Sequence, residues 1–447
     1  MLKLSRSNSH TLIEYAIEYA SIGLYAEAIK LLLYTDKNNS GPMINYYIGY
    51  YCHKAGDQDL SLSYLKKANS ADPYCCFPNR LEDVAVLQYA QNANPGGARS
   101  AYYLGNLWYD KRQYADAIAS WERSRELDDS FPTVFRNLAI AAYNKQNDPE
   151  RSLNLFERAF KLDPTDSRVL MELDQLYKRL NYPAEFRVSN LEEYKQIAEK
   201  RDDLYLEIAA LHNFLGNYEK AYSLLMDRIF HPWEGGEGRV SGQYVYSLIE
   251  AAKIFIGKNQ FKEAIDKLNR AQTYPHNLGE GKLYGAQEND IFYWLGCAYM
   301  GLNDSENAIL YWNKATIGLS EPGAAIFYND QQPDKIFYRG LAWEKSGNRT
   351  YSEEVFKKLV EYGRGHEGDE IKIDYFAVSL PDLLIFEDDL KKRNYIHCKY
   401  ITALGYLGLK LFKKAEETFN TVMKEDAMHF GAKTHLRLLD ALRNLPA

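Results

Sequence analysis

The sequence contains no apolar run long enough to cross a bilayer. Its most apolar window, residues 371–386, is interrupted by Asp374, Pro381 and Asp382, whereas a spanning helix needs about 20 apolar residues in a row. The opening stretch, MLKLSRSNSHTLIEYAIEYA, lacks the apolar centre of a signal peptide. Basic clusters are absent as well. No five like charges stand together, and 61 acidic residues against 54 basic ones leave a net charge of −7. Phosphate neutralisation needs a basic stripe, so neither nucleic acid nor a membrane is an expected partner. Cysteine is scarce. Cys52, Cys75, Cys76, Cys297 and Cys398 are odd in number, scattered and without CxxC spacing. That is the pattern of reduced thiols in a cytoplasmic protein, not of a disulfide framework. With 28 glycines and 14 prolines in 447 residues, collagen-like and low-complexity classes are excluded. What the chain does have is aromatic surface: 14% of its residues are aromatic, and 37 are tyrosine. Tyrosine suits places that must be partly apolar and partly hydrogen-bonding.

Self-similarity is the strongest remaining signal. In YLGNLWYDKRQYADAIASWERSRELDD (residues 103–129), Leu104, Gly105, Trp108, Tyr114, Ala117, Trp121 and Leu127 fall at helical spacings, with a break at 111–113. This describes two amphipathic helices joined by a tight turn. Leu295, Gly296, Tyr299, Ala308 and Trp312 repeat the register. The pattern resembles the tetratricopeptide repeat (TPR), in which a small residue near the middle of the second helix lets the pair approach closely. That residue is traced as Ala28, Ser61, Ala117, Ser152, Ala221, Ala264, Ala308, Ser352 and Ala415. The expected fold is all-α, a right-handed α-solenoid of about nine TPR-like hairpins with long inter-repeat loops, forming a single array over residues 1–447. Regular hairpins are expected near 9–73, 99–164, 203–229, 245–273, 289–318, 335–361 and 396–426. Irregular stretches are expected near 74–98, 165–202, 230–244, 274–288, 319–334 and 362–395.

Unusual chemistry concentrates in the links between hairpins. One link runs HPWEGGEGRVSGQ from His231, and the next runs YPHNLGEGKLYGAQ from Tyr274. Both carry Pro, then Gly-Glu-Gly, a basic residue and an apolar residue. Glu237 and Glu280 stand 43 apart, in step with the repeat. A third link, at 321–334, occupies the same phase. Insertions at one phase of a solenoid land on one face, so the three are expected to be neighbours. They would gather Trp233, Glu234, Glu237, Arg239, Tyr244, His276, Glu280, Lys282, Gln287, Glu288, Asp290, Asn329, Asp330 and Asp334 as a ligand-binding set, with His231 and Glu321 nearby. If the set is catalytic, the candidates are Glu237, Glu280, Glu234 and Asp290. The plainer reading is that Gly-Glu-Gly makes capped turns, with Glu237 and Glu280 paired to Arg239 and Lys282. No cofactor and no metal is expected. The glycine pairs fail the dinucleotide fingerprint, P-loop, HExxH and GxSxG motifs are missing, and no His/Cys/Asp cluster has metal spacing. His366, Asp374 and Asp382 are candidates for lesser polar roles.

The segments HPWEGGEGRVSGQY, YPHNLGEGKLYGAQENDIFYWLG, FYNDQQPDKIFYRGLAWEKSG and IDYFAVSLPDLLIFEDDL are more specific than generic repeats. They resemble the helical half of a large bacterial TPR family in which the array follows an N-terminal β-sandwich domain. No β-rich segment opens this chain, so the resemblance implies a short member or the helical half of a longer one. It implies no activity. Three functions are weighed. The first is a binding or assembly scaffold whose concave, Tyr-rich surface and link cluster hold a protein or peptide partner, with an acidic balance favouring basic or neutral ones. The second is a carbohydrate-binding or glycosidase-like protein, since aromatic faces and carboxylates share the links. The third is homo-oligomerisation, with the Leu-rich segment 429–445 capping the array or pairing with another copy.

Overall fold

The computed structural model describes residues 8–34, 41–324, 330–371 and 384–443. The chain forms two compact units, Met1–Val169 and Leu170–Ala447. Among the described residues there are 23 α-helices and a 3-10 turn, with no strand. The first unit holds α1 (Ser9–Ser21), α2 (Tyr25–Leu33), α3 (Pro42–Lys54), α4 (Gln58–Ser70), α5 (Leu81–Ala93), α6 (Ala98–Asp110), α7 (Tyr114–Leu127), α8 (Pro132–Gln146) and α9 (Pro149–Leu162). Then come α10 (Ser167–Arg179), α11 (Ala184–Glu193) and α12 (Lys195–Ala198). The second unit continues with α13 (Asp202–Leu215), α14 (Tyr218–Met226), α15 (Arg239–Gly257), α16 (Phe261–Ala271), α17 (Asn289–Gly301) and α18 (Ser305–Ala315). It ends with α19 (Pro333–Lys345), α20 (Arg349–Gly365), α21 (Leu390–Gly408), α22 (Phe412–Glu425) and α23 (Phe430–Arg443).

Among the described residues nine helix pairs pack as antiparallel hairpins: α1/α2, α3/α4, α6/α7, α8/α9, α13/α14, α15/α16, α17/α18, α19/α20 and α21/α22. One local device makes every turn. A single residue two positions before the second helix takes the left-handed conformation, from Gly23 and Gly56 through Arg112, Asn147, Gly216, Asn259 and Asn303 to Gly347 and Lys410. The next amide then bonds back across the helix end, as Gln113 N does to the Trp108 carbonyl at 2.8 Å, closing the first helix. The nine small residues read from the sequence are all buried, from Ala28 to Ala415. Each is the fourth residue of its helix, so close approach occurs in the first turn of the second helix and not near its middle. The paired Trp packs against the first helix. A Cβ at Gly105 or Gly296 would stand 2.4 Å from the ring of Trp121 or Trp312, so only glycine admits the indole there.

Within the second unit the first helices of successive hairpins, α13, α15, α17, α19 and α21, pack side by side. Their shared face would be an open groove if the array ended at α22. It does not. The last helix, α23, lies against that face. Towards α13 and α15, Arg437 Nη2 donates to the Phe214 carbonyl at 2.8 Å. Tyr246 and Thr434 share a 2.8 Å hydroxyl bond, and the Phe430 ring meets Phe214 at 5.4 Å and Tyr246 at 5.3 Å. Towards α19 and α21, the His435 ring sits edge-on to Phe337 at 5.2 Å and lies 5.9 Å from Tyr400. Leu439 and Ala432 are fully buried in the same core. The Leu-rich segment therefore packs inside its own array, and its last residues, Leu445 among them, lie outside the described ones.

Candidate functional site

The three links lie together, as their common phase implied. The backbone N–H of Phe230 in the first link donates to the Asn277 carbonyl in the second at 2.8 Å. Asn277 Nδ2 donates to the carbonyls of Leu225 and Arg228, each at 2.9 Å. Gly279 makes this contact possible: its φ is +72°, and a Cβ there would stand 2.5 Å from the Phe230 carbonyl oxygen. Gln287 ties the second link to the third, donating to the Asp330 carbonyl at 2.9 Å and accepting from the Gln332 amide at 3.0 Å.

The two Gly-Glu-Gly copies do different things. In the first, Gly238 (φ +72°) leads directly into α15, which begins without a side-chain cap or an acidic residue in its first turn. Glu280 of the second copy supplies both. Its carboxylate accepts the Gly238 N–H at 2.9 Å, the Ser241 N–H at 3.1 Å and the Ser241 hydroxyl. An anion bonded to the exposed amides at a helix N-terminus stabilises it by capping and by the helix dipole. Glu237, its sequence counterpart, is exposed.

Beneath the links lies a cavity of about 1240 Å³. Exposed Glu234 and Glu237, with half-buried Trp233, border its mouth. Its floor carries three carboxylates and two lysines. Glu250 pairs with Lys253 on α15, and Asp290 of α17 pairs with Lys335 of α19, which also lies 3.7 Å from Asp334. Glu250 and Asp290 are each 6% exposed. Burial works to strip the proton from each lysine, but the neighbouring acidic groups together outweigh it, Glu250 with Tyr338 and Tyr246 for Lys253 and Asp290 with Asp334 and Tyr338 for Lys335, and hold both above the usual lysine range. The back wall is α23, with Tyr338 and Tyr400 alongside. His435, 2% exposed, is pushed down to about 3 by burial, with Lys253 and His429 adding to the effect. It is therefore a neutral imidazole at neutral pH. Its Nδ1 donates to the Gly431 carbonyl at 2.7 Å, and its Nε2 has no hydrogen-bond partner.

Of the residues expected in the links, Trp233, Glu234, Glu237, Glu280, Gln287, Asp290 and Asp334 line this cavity. Others do not. Tyr244 is a core residue, 2% exposed, whose hydroxyl donates to the Arg270 carbonyl. Arg239 stands 3.9 Å from Glu207, and Lys282 bonds Glu288 at 2.7 Å. The expected pairings of Glu237 with Arg239 and of Glu280 with Lys282 are thus replaced by others. His276 is an exposed residue of the 3-10 turn His276–Leu278. Asp330 contributes its carbonyl to Gln287 and is not among the lining side chains. Asn329, Asp374 and Asp382 lie outside the described residues. His366, in contact with Asp369 at 2.6 Å, is a surface pair. Of the four catalytic candidates, Glu280 and Asp290 are engaged by protein donors, while Glu234 and Glu237 are exposed.

Sequence reasoning missed most of the floor and the whole back wall: Tyr246, Glu250, Lys253, Lys335, Tyr338, Tyr400 and α23. A signal existed for part of it. Tyr246, Asp290 and Asp334 recur every 44 residues, and so do Glu250, Trp294 and Tyr338. Asp290 and Asp334 were in view, and extending their register backwards reaches α15. No spacing pointed to His435.

Among the described residues no helix is long and apolar enough to cross a membrane, and no group of three or more His, Cys, Asp or Glu could hold a metal ion. Residues 290–316, which are α17 and α18, match the tetratricopeptide repeat family. Similar solved structures include YrrB, described as a TPR protein with an unusual peptide-binding site, at 15% identity over 41% of this chain and 90% of that one, TM-score 0.32. A tetratricopeptide repeat protein from Parabacteroides merdae is 15% identical over 67% of this chain and 98% of its own, TM-score 0.29. MamA from Desulfovibrio magneticus is 16% identical over 43% and 97%, TM-score 0.26. With its nine hairpins, their shared turn and the matching repeat at 290–316, the chain is a helical array of the tetratricopeptide-repeat type.

Proposed function

We propose that the chain is a TPR-type binding scaffold whose ligand site is the cavity of the second unit. One observation carries this reading: α23 bonds to α13 and α15 on one side and packs on α19 and α21 on the other. The face on which a partner helix would be laid is occupied by the chain itself. What remains is a chamber entered past the links, suited to a small ligand or to a short protruding segment of a partner. Pockets of this kind bind through an apolar or aromatic wall with a few convergent polar groups. Here the aromatic surface is Trp233 at the mouth and Tyr274 beyond it, and the polar groups are those of the floor and α23. The hydrolase reading has less behind it, because Asp290 is committed to a lysine and half-buried Glu280 to helix amides.

A cavity-filling variant tests the assignment. Gly242 on α15 lines the cavity, and a Cβ there meets nothing within 4 Å. Gly242→Trp should fold with an unchanged melting temperature and lose any ligand that binds the wild-type chain stoichiometrically. A ligand held equally well by both proteins would contradict the proposal.

A further inference from the structure

We infer that the cavity takes a basic segment of a protein partner, a short stretch of chain whose lysine or arginine side chains reach in past the links. This rests on the cavity being the ligand site and names the chemistry that would fill it.

Three observations narrow the class. The first is charge. Six carboxylates line the cavity, Glu234, Glu237, Glu250, Glu280, Asp290 and Asp334, against two lysines, Lys253 and Lys335. The whole chain is close to balance, with 61 acidic and 54 basic residues, so the excess belongs to the cavity. The lysines do not offset it. Lys253 is taken by Glu250, and Lys335 serves both Asp290 and Asp334, one ammonium for two carboxylates. Burial is the largest influence on His397, His429 and His435, and it holds all three below the usual imidazole range. They add no charge at neutral pH. The fourth histidine of the lining, His231, lies 3.2 Å from Asp202. An anion entering here loses its water and finds only cations already engaged, which is costly. A cation is favoured, because a cleft lined by one sign of charge concentrates ligands of the other.

The second is where the unneutralised carboxylates stand. Glu234 and Glu237 are exposed at the mouth. Glu280 meets amide and hydroxyl donors but, among the described residues, no side-chain cation, and its Oε1 carries a single bond. A carboxylate oxygen can accept two. Asp334 sits in the first turn of α19. These groups are spread over two links and a helix instead of converging on one point, and among the described residues no group of three or more could hold a metal ion. Their complement is a ligand with several separated positive charges on flexible stems, as lysine and arginine side chains provide. Arginine adds a fork that bonds a carboxylate through two N–H groups at once.

The third is the rest of the surface and its size. Half-buried Trp233 at the mouth and Tyr274 beyond it line the cavity. The Trp233 ring is held on Gly236, where a Cβ would stand 2.3 Å from it. Such rings attract ammonium and guanidinium groups, and the apolar stems behind those groups lie along them. Leu283, on the lip, is 50% exposed and offers cover to the apolar parts of a peptide. The volume of about 1240 Å³ exceeds the ~300–1,000 Å³ of ordinary small-ligand sites, which favours several residues of chain over a compact amine.

The test is calorimetric titration of the full chain with a panel of end-blocked hexapeptides rich in lysine and arginine, their glutamine and glutamate counterparts, and spermidine. The expected result is saturable one-to-one binding of at least one basic peptide, weakening as salt is raised from roughly 20 to 200 mM, with no binding of the glutamine or glutamate forms. Glu234→Gln and Glu237→Gln together, both at exposed positions, should weaken that binding about fivefold without moving the melting temperature. Asp334→Asn should weaken it about tenfold. Gly242→Trp leaves the net charge unchanged and should abolish it. If no basic peptide binds at up to about 1 mM, the inference is overturned. If spermidine or an uncharged or acidic peptide binds instead and Gly242→Trp abolishes it, the ligand class is wrong and the cavity assignment stands. The same holds if basic peptides bind but the carboxylate variants leave their affinity untouched. Basic peptides held equally well by Gly242→Trp would be attracted to the acidic surface at large, and that result overturns both.

Discussion

The mouth of the cavity and its floor are built by different rules. The mouth is made of links that copy one motif, yet the copies diverge: Glu280 reaches across to cap α15, while Glu237 stands exposed. The floor is made of helix side chains that recur at the repeat's step without keeping one residue type, and hold one another in buried ion pairs. Repetition of sequence thus fixed where the links sit and not what each glutamate touches. That depended on where the next helix starts. In the first link α15 begins at Arg239, directly after Gly238, whereas in the second several residues separate Gly281 from α17.

This contrast can be broken most sharply with the two lysine pairs. Lys335→Met leaves Asp290 buried without its cation and should cost about 3–5 kcal/mol. Lys282→Met at the mouth, where the pair with Glu288 is more open, should cost under about 1 kcal/mol. Denaturant midpoints of the two variants check this, and equal losses would erase the distinction between floor and mouth.

Acid gives the next largest effect, and it belongs to the back wall. Burial holds His435 at about 3 in the folded chain, against about 6.5 unfolded. Lys253 and His429 push the same way, while the Gly431 carbonyl and Asp290 oppose them. Between these values the unfolded chain binds a proton that the folded chain does not. Stability from this group is therefore complete above about pH 6.5 and is lost as the pH falls towards 3, at up to about 1.4 kcal/mol per pH unit. His435→Phe keeps a ring between its neighbours and should flatten this acid limb. An unchanged slope in melting temperature against pH would contradict the assignment.

The smallest effects separate the motif copies themselves. Glu280→Ala should lower stability by about 1–2 kcal/mol through loss of the α15 cap. Glu237→Ala should stay within about 0.5 kcal/mol. Thermal melts of the pair decide it.

Much of the fold was legible before the structure. The spacing of Ala117 and Ala308 with their tryptophan and glycine companions reflects a local rule, a left-handed turn and a small residue in the next helix, and local rules leave periodic marks. The mouth was legible for the same reason, since Glu237 and Glu280 keep the repeat's step. Tyr244 misled because it stands next to a link in sequence, while its place on α15 turns it into the core. The floor was partly hidden because Glu250 and Lys253, three residues apart on a helix, look like an ordinary surface pair. The contacts of α23 were hidden altogether. They join residues nearly two hundred positions apart, such as Tyr246 and Thr434, and arise only once the hairpins have stacked. The leucines of that helix showed that it must be covered, not by what.

The closure of the chamber by α23 is the claim on which the account turns, and native-state hydrogen exchange tests it directly. A terminal helix resting on one neighbour frays and exchanges early, whereas one packed between two sides of a core opens only with that core. The account predicts that amides of residues 430–443 exchange as slowly as those of α15 and α19 and lose protection together with them as denaturant is added. Fast, independent exchange of α23 while α15 and α19 remain protected would contradict it.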